Sequence, residues 1–292
     1  MISAISGQNI IRRELIKQSS RFRDEHVWTA KQEFFLKTAL TEEFNQKITQ
    51  QVAGSTKLAE LLDNTGWLTP EKMVASGDDW LAVVWLPDGP LATKEQFRAG
   101  QNFEALDDFA KIAARLDELA ADNLDQPGSK PIKLSRHRLE PKIYSQRVLE
   151  KFEPYLSRPD FDEEVIKVGL DYFEQRIAHF IATYQHGDLT PWHVFKDGRQ
   201  FVLVDCEHVN DDWPRFYDIA NFYSKLRVEF DLSTQAEELM DNFGRLRQQD
   251  ARASEAFWAI VVLRTLRRAI EHQESPEIVR RAFKLSDKIT TG

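Results

Sequence analysis

The sequence predicts an α+β protein in which a small antiparallel sheet precedes a mostly helical part. Between Asn9 and Thr38, short apolar stretches alternate with polar connections, which is typical of antiparallel strands. From residue 103 onward, apolar residues recur at helical spacing over long segments. Two prolines and a glycine within residues 86–90 stop either kind of regular structure. We therefore predict an N-terminal lobe over residues 1–86 and a helical C-terminal lobe over residues 87–292.

Each predicted lobe has its own set of elements. In the N-terminal lobe we predict a helix over residues 41–62 and five strands, Ile10–Ile16, His26–Ala30, Glu33–Thr38, Lys72–Ala75 and Trp80–Leu86. In the C-terminal lobe, apolar periodicity predicts helices over residues 103–121, 141–156, 161–184, 218–230, 234–246, 253–272 and 276–288. Asp197-Gly198 separates two short apolar runs, which indicates a β-hairpin as the only strand structure among these helices.

The composition is that of an ordinary globular protein. Of the 292 residues, 42% are hydrophobic and 29% are charged, and the formal net charge of −8 argues against a protein that coats nucleic-acid phosphates. Cys206 is the only cysteine, so neither an intrachain disulfide nor a cysteine-based zinc site can form, and we expect a cytoplasmic location. No segment has the pattern of a leader or a membrane span. We predict no nucleic-acid or membrane partner, and the oligomeric state stays open.

Polar residues gather at the two outer ends of the predicted hairpin. A hairpin brings its first and last residues side by side, so we expect Asp188, His193, Asp205 and Glu207 in one neighbourhood. Carboxylates gathered in this way attract a cation. Each residue taken singly has an ordinary alternative, because an Asp before a loop commonly forms a turn and a lone His is commonly a satisfied polar group.

The same stretch carries a family resemblance. HGDLTPWH at residues 186–193 resembles the catalytic loop H-G-D-x-x-x-x-N of the aminoglycoside phosphotransferase and choline kinase group, within the protein-kinase-like superfamily. VDCE at residues 204–207 resembles the metal-binding I-D-x-E segment of that group, and residues 215–222 resemble its R-x-x-D-L-A-x-F segment. The resemblance implies a bilobal kinase-like fold, with Asp188 as the catalytic base and with Asp205, His193 and Glu207 as the metal-binding residues.

Phosphoryl transfer suits these residues, because it needs a carboxylate to orient and deprotonate a hydroxyl, and metal ions to neutralise phosphate charge. The resemblance implies ATP or GTP as donor, Mg²⁺ or Mn²⁺ as metal, and a small-molecule hydroxyl acceptor. It also implies a strand lysine for the phosphates and a partner Glu on the following helix. For the lysine we choose Lys37, with Lys31 as the alternative. For the partner, among Glu42, Glu43 and Glu60, we prefer Glu43.

Two departures from the family pattern bear on activity. His193 stands where the family has Asn, and imidazole suits Mn²⁺ or Zn²⁺ better than it suits Mg²⁺. The loop expected to cover the phosphates, residues 18–22, contains no glycine, so its backbone approaches phosphates less freely. Ser19, Ser20 and Arg21 would supply hydroxyl and guanidinium donors in its place, or the loop is an ordinary turn.

The leading hypothesis is a small-molecule kinase that transfers the γ-phosphate to a hydroxyl of a small metabolite or an aminoglycoside-like acceptor. One alternative is a pseudokinase that binds nucleotide without turnover, since a fold does not establish an activity. Another is a metal-dependent hydrolase, for which the sequence offers enough nitrogen and oxygen ligands in His186, Asp188, His193, Asp205 and His208. The identity of the acceptor does not follow from these motifs.

Overall fold

The computed structural model describes residues 2–63, 65–121 and 141–292 of the chain. The chain divides into two units, one comprising Met1–Leu91 and Pro191–Val209 and the other comprising Ala92–Thr190 and Asn210–Gly292. The secondary structure is mixed α+β, with antiparallel strands near the N-terminus and helices predominating in the second unit. The predicted division differs from this one because it placed residues 191–209 in the helical lobe.

The first unit contains an antiparallel sheet and one long helix. Its N-terminal strands are β1 Ala4–Ile5, β2 Gln8–Gln18, β3 Phe22–Thr29, β4 Glu33–Ala39, β5 Leu68–Pro70, β6 Met73–Ser76 and β7 Trp80–Val84. Six of them form one sheet in the order β1-β2-β3-β4-β7-β6. The helix α1, Asn45–Leu62, follows β4 after a short 3₁₀ turn. The predicted strands and the predicted helix are confirmed, whereas β1 and β5 were not predicted.

A hairpin from late in the chain completes this unit. Strands β9, Val194–Asp197, and β10, Gln200–Leu203, pair with each other as predicted. In addition, β10 pairs in parallel with β5, so that Phe201 lies opposite Leu68. The backbone N–H of Leu91 also donates to the carbonyl of Val194 at 2.7 Å. These main-chain bonds explain why the hairpin belongs to the first unit, and hairpin periodicity alone does not reveal them.

Alternation along β4 gives the sheet two different faces. One face carries Phe34 and Leu36, which are buried together with Ile5, Val27 and Ala82. The other face carries Lys37, which lies opposite Asp24 on β3 and Leu81 on β7. On this second face Ala39, Leu81 and Val83 form a core with Ile48 of α1. The lysine therefore stands on the face that packs against the helix, because successive side chains of a strand point to opposite faces.

The second unit is helical apart from one pair of strands. Its helices are α2 Lys94–Arg98, α3 Ala105–Ala121, α4 Pro141–Phe152, α5 Glu163–Arg176, α6 Tyr217–Val228, α7 Ser233–Arg247, α8 Glu255–Glu271 and α9 Pro276–Thr291. Helix α6 is buried over almost its whole circumference, because α7, α8 and α9 all pack against it. Of the helices in the described residues, none has both the length and the apolar content that crossing a membrane requires.

The strand pair corrects one sequence prediction. The helix predicted over residues 161–184 ends at Arg176, and strand β8, Ala182–Gln185, follows it. Strand β8 pairs antiparallel with β11, Asn210–Pro214, so the hairpin is not the only strand structure beyond residue 90. The prediction was wrong here because a four-residue strand gains its hydrogen bonds from a partner 28 residues later, which local periodicity does not show. The short helix α2, with its capping box at Thr93, was also not predicted.

Candidate active site

The centre of the site in the first unit is a pair of opposite charges, Lys37 on β4 and Asp205 just after β10. The ammonium group of Lys37 donates to Oδ1 of Asp205 at 3.0 Å and to Oε1 of Gln51 on α1 at 2.9 Å. It also lies 4.7 Å from the centroid of the Phe22 ring. Strand, helix and hairpin thus each contribute one group, and the alternative residue Lys31 lies exposed in the turn after β3.

The surroundings of Lys37 favour its charged form. Burial of the side chain opposes the charge, but the carboxylates of Asp205, Glu207 and Asp24 outweigh burial and raise the pKa of Lys37 above its ordinary value. The lysine is therefore a permanent cation at neutral pH. Such a group can bind an anionic oxygen of a ligand without any proton exchange.

Gln51 occupies the helix position for which we had expected a glutamate. Its amide oxygen accepts from Lys37, and its amide nitrogen donates to Oε1 of Glu71 at 2.7 Å. The hydroxyl of Ser55, one turn further along α1, donates to the same oxygen at 3.2 Å. Glu43 lies exposed in the turn Glu42–Phe44, so Lys37 pairs with Gln51 and not with Glu43.

Glu71 fixes the orientation of the Gln51 amide. The carboxyl group is buried between β5 and β6, and burial raises the pKa of Glu71 to about 7, although the bonds from Gln51 and Ser55 act in the opposite direction. Because Glu71 accepts from the nitrogen of Gln51, the oxygen of that amide must face Lys37. Gln51, Ser55 and Glu71 were missed in the sequence, although Gln51 and Ser55 do interrupt the buried stripe Ile48, Leu58 and Leu62 of α1.

Asp205 stands in an unusual backbone conformation. Its φ of 60° and ψ of 48° lie in the left-handed region, which a short polar residue such as Asp tolerates better than most. The following residues Cys206–His208 form a 3₁₀ turn that packs against α1. Gly54 of α1 faces the carbonyl of Cys206 so closely that a Cβ atom at this position would clash with it. A glycine is therefore needed where the helix approaches the Asp205 segment.

The other two predicted metal-binding residues also lie in the first unit. Nε2 of His193 lies 4.0 Å from Oδ2 of Asp205, which is too long for a hydrogen bond but close enough for both to approach one ion. Glu207 is engaged elsewhere, since its Oε1 lies 3.4 Å from Nζ of Lys47 and 3.1 Å from Nε2 of His208. Burial opposes the charge of Glu207, but His208 and Lys47 hold its pKa below the ordinary value.

The glycine-free loop between β2 and β3 closes on itself. The hydroxyl of Ser19 accepts from the backbone N–H groups of Arg21 and Phe22, at 3.1 and 3.0 Å, and the N–H of Ser19 donates to the carbonyl of Phe22. Ser20 is exposed at the tip. The Ser19 hydroxyl is thus used to hold the turn, whereas Ser20 faces solvent.

The second unit carries Asp188, in a loop that a buried carboxylate holds in place. Asp218, at the start of α6, accepts from the backbone N–H groups of His186, Gly187 and Leu189 at 2.7, 2.9 and 3.2 Å. Burial raises the pKa of Asp218 to about 7, although these three bonds favour its charged form. Gly187 has a φ of 84°, which suits glycine. Asp188 itself is partly exposed, and its Oδ1 lies 3.4 Å from Nδ2 of Asn221.

The residues of the hydrolase alternative are not assembled into a ligand cluster. Over residues 2–63, 65–121 and 141–292, no group of three or more His, Cys, Asp or Glu side chains is arranged to hold a metal ion. This geometry gives the hydrolase alternative no support.

Comparison with known proteins identifies the family. A family model described as the phosphotransferase enzyme family matches residues 14–258. Among curated protein sequences, none matches this chain. Among solved structures, the choline kinase LicA from Streptococcus pneumoniae is 14% identical, with a TM-score of 0.57 and with 97% of this chain and 94% of that chain covered.

Two further structures have the same fold. The ternary complex of APH(2")-IIa with streptomycin and ATP is 13% identical, with a TM-score of 0.58 over 96% of this chain and 94% of that chain. A protein from Thermobifida fusca described as a fructosamine-3-kinase is 14% identical, with a TM-score of 0.57 over 97% and 96%. These TM-scores, over nearly the whole of each chain, show a shared protein-kinase-like fold, and the match to the family model covers most of the chain. The chain therefore belongs to the phosphotransferase enzyme family.

Proposed function

We propose that this protein transfers the γ-phosphate of ATP or GTP to a hydroxyl group of a small-molecule acceptor, either a metabolite or an aminoglycoside-like compound. The observation that carries the proposal is the pairing of Lys37 with Asp205, 168 residues apart in the chain. It brings a permanent cation next to a carboxylate within the first unit of a chain that belongs to the phosphotransferase enzyme family. Phosphoryl transfer requires both kinds of charge, one for phosphate oxygens and one for a metal ion.

On the nucleotide side, Lys37 would bind the phosphates. Gln51 accepts from the ammonium group at 2.9 Å, and Glu71 orients the Gln51 amide by accepting from its nitrogen at 2.7 Å. The Lys37 side chain is largely buried, so a bound phosphate would interact with it in surroundings of reduced dielectric. Ser20, exposed at the tip of the β2–β3 loop, is the hydroxyl best placed to reach a phosphate from that loop.

The donor groups near Asp205 suit a divalent cation. The Asp205 carboxylate is 40% exposed, and His193 lies within 4.0 Å of it, which supplies one oxygen and one nitrogen ligand. A metal ion bound there would neutralise charge on the phosphates. Mg²⁺ prefers oxygen ligands, whereas the imidazole of His193 favours Mn²⁺. Glu207, held by Lys47 and His208, would add negative charge beside the ion.

On the acceptor side, Asp188 would orient the hydroxyl and accept its proton. Its loop is tied by three backbone hydrogen bonds to Asp218, so the carboxylate is presented by a pre-ordered backbone. The related structures include a choline kinase and a complex with streptomycin. These names support a small hydroxyl-bearing acceptor, and a cytoplasmic location agrees with the single cysteine.

The test is nucleotide binding followed by turnover. Calorimetry with ATP and GTP, each with Mg²⁺ and with Mn²⁺, should show metal-dependent binding that Asp205→Ala abolishes. Asp188→Asn is the matched control, because it should bind nucleotide like the wild type and lose transfer to hydroxyl acceptors. Binding without transfer in the wild type, across amino alcohols, sugars and aminoglycosides, would favour the pseudokinase alternative. No binding with either metal would refute the proposal.

A further inference from the structure

Two side chains of α6, one turn apart, lie close to the carboxylate of Asp188. Nδ2 of Asn221 lies 3.4 Å from Oδ1 of Asp188, and Nζ of Lys225 lies 3.6 Å from the same oxygen. Both residues are buried, with Asn221 1% and Lys225 8% exposed. Residues four apart share one face of a helix, so one rigid face of α6 presents both an amide donor and a cation to Asp188.

The orientation of the Asn221 amide is determined by two buried arginines of α8. Its Oδ1 accepts from Nε of Arg264 at 2.8 Å and from Nη2 of Arg268 at 2.7 Å. Arg268 also donates to the backbone carbonyl of Asn221 at 3.0 Å. Because both arginines occupy the oxygen side of the amide, the nitrogen side must face Asp188. The donor to the carboxylate is therefore oriented before any substrate binds.

The two arginines have carboxylate partners of their own. Nη1 of Arg268 lies 2.7 Å from Oε1 of Glu229 and 3.6 Å from Glu271, and Nη2 of Arg264 lies 4.0 Å from Glu271. Burial lowers the pKa of Arg268 to about 10, and its charge is kept by these partners. Glu229 and Glu271 are thus engaged with arginines, while Asp188 lies within 4 Å of the Lys225 ammonium group.

We propose that Lys225 and Asn221 are positioning residues for Asp188, the cation keeping this carboxylate ionised and the amide fixing its direction. This inference rests on the proposed function, in which Asp188 accepts the proton of the acceptor hydroxyl. A base must be unprotonated before the reaction begins, and it must point at the proton it removes. The catalytic loop, residues 186–193, offers no lysine or arginine for this task, so helix α6 supplies the charge.

The charges around Asp188 make the effect predictable in sign. Asp218 repels a negative charge on Asp188, whereas Lys225 and Arg268 favour it. Arg264 opposes the charges of Lys225 and Arg268, and Glu229 and Glu271 pair with these cations. Burial lowers the pKa of Lys225, whereas the carboxylate of Asp188 favours the charged ammonium group and offsets part of this effect. Removing the cation should therefore make Asp188 easier to protonate, by about 1 pH unit for an opposite charge at this distance.

The experiment combines a titration and a pH–rate profile on the full chain. The side-chain carboxyl signal of Asp188 would be followed by ¹³C NMR in aspartate-labelled protein and assigned with Asp188→Asn. Lys225→Met and Lys225→Gln should raise the titration midpoint of Asp188 by about 1 pH unit. Lys225→Arg keeps the positive charge, so its midpoint should stay close to that of the wild type. Lys167→Met, which removes an exposed lysine of α5, should leave the midpoint unchanged.

The amide of Asn221 both accepts from the two arginines and donates to Asp188, and Asn221→Asp removes only the second interaction. The new carboxylate still accepts from Arg264 and Arg268, but it cannot donate to Asp188. We expect kcat to fall about 10-fold to 100-fold with little change in KM for the nucleotide, because only the direction and ionisation of the base are affected. The acid limb of the pH–rate profile should move to higher pH in Asn221→Asp. It should move in the same direction in Lys225→Met and Lys225→Gln.

The outcomes separate this inference from the proposed function. An unchanged titration midpoint in both folded charge-removing variants would overturn the inference, whatever the turnover. A shifted midpoint together with a shifted acid limb supports it. A shifted midpoint in a protein that transfers no phosphate from nucleotide would refute the proposed function, while the control of Asp188 ionisation by Lys225 would stand.

Discussion

Nζ of Lys37 lies 3.0 Å from Oδ1 of Asp205, and this ion pair joins strand β4 to the segment that follows β10. The lysine is largely buried, whereas the Asp205 carboxylate is 40% exposed. The lysine is therefore held from within by Gln51, and the carboxylate remains accessible to a cation from solvent. Under the proposed function, a nucleotide with its metal would compete for both partners of this pair.

The Gln51–Glu71 hydrogen bond should reverse its direction when the two residues are exchanged. Gln51→Glu alone faces a second buried carboxyl group at 2.7 Å, and we expect it to destabilise the protein by about 2 kcal/mol. Adding Glu71→Gln restores a donor opposite the new carboxylate, which also pairs with Lys37. Urea unfolding of the single and double variants measures the coupling, which should exceed about 1 kcal/mol. Simple additivity of the single effects would contradict this account.

Stability should depend on pH through Glu71. Burial raises the pKa of Glu71 to about 7 from an ordinary 4.5, so the folded state holds this proton more tightly than the unfolded chain does. Its contribution is therefore fully present below about pH 4.5 and is lost as the pH rises through about 7. Relative to Glu71→Gln, the wild type should lose about 3 kcal/mol of unfolding free energy between these values.

The measurement is urea unfolding of both proteins at several pH values between 4 and 8. Glu60→Gln is the control, since Glu60 is exposed on α1, the helix that carries Gln51 and Ser55, and its removal should not change the pH dependence. Parallel curves for the wild type and Glu71→Gln would contradict this account, because they would mean that Glu71 binds its proton equally tightly in the folded and the unfolded chain.

The side chain at position 193 should determine whether Mn²⁺ or Mg²⁺ supports the faster rate. With His193 near Asp205, the wild type should turn over faster with Mn²⁺ than with Mg²⁺, because imidazole is a better ligand for Mn²⁺. His193→Asn should raise the Mg²⁺-supported rate several-fold, since an amide oxygen suits Mg²⁺. Steady-state rates with each metal provide the test, and His208→Asn, which alters the neighbour of Glu207, is the control. Equal rates with both metals in wild type and variant would rule out this role for His193.

Gly54 should tolerate no side chain. A methyl group there meets the carbonyl of Cys206 and comes close to Val209, so Gly54→Ala must displace either α1 or the segment that carries Asp205. We expect a loss of about 2 kcal/mol in stability and roughly tenfold weaker metal-dependent nucleotide binding. Gly244→Ala is the matched control, because the nearest atoms around Gly244 of α7 lie at ordinary contact distance. The control should gain about 0.5–1 kcal/mol. Equal behaviour of the two variants would contradict the packing argument.

The strands β2, β3, β4, β6 and β7 could be predicted because each carries its own alternation of apolar and polar residues. Strands β8 and β11 could not, since each is short and takes its hydrogen bonds from the other across 25 or more residues. The hairpin β9–β10 was predicted from Asp197-Gly198, but its membership in the first unit depends on the parallel pairing of Phe201 with Leu68. Local pattern reveals an element, whereas long-range pairing decides its neighbours.

The same distinction holds within the site. Lys37, Asp188 and Asp205 were named from the resemblance of short segments to family motifs, and such a resemblance is a local property of the sequence. The preference for Glu43 failed to identify the partner of Lys37, because the partner depends on which face of α1 turns toward β4. That face is set by the burial of Ile48 and by the close approach at Gly54, neither of which a charge pattern shows.

The amino-acid sequence by itself determined the family, the α+β composition and the chemical groups available for phosphoryl transfer, because these are properties of residue types in chain order. The tertiary structure alone decided that Gln51 rather than a glutamate binds Lys37, and that buried Glu71 orients the Gln51 amide. It alone also placed Asn221 and Lys225 beside the carboxylate of Asp188. The physical reason is that packing brings these side chains together from distant segments, where low dielectric and limited room give each contact its direction and strength.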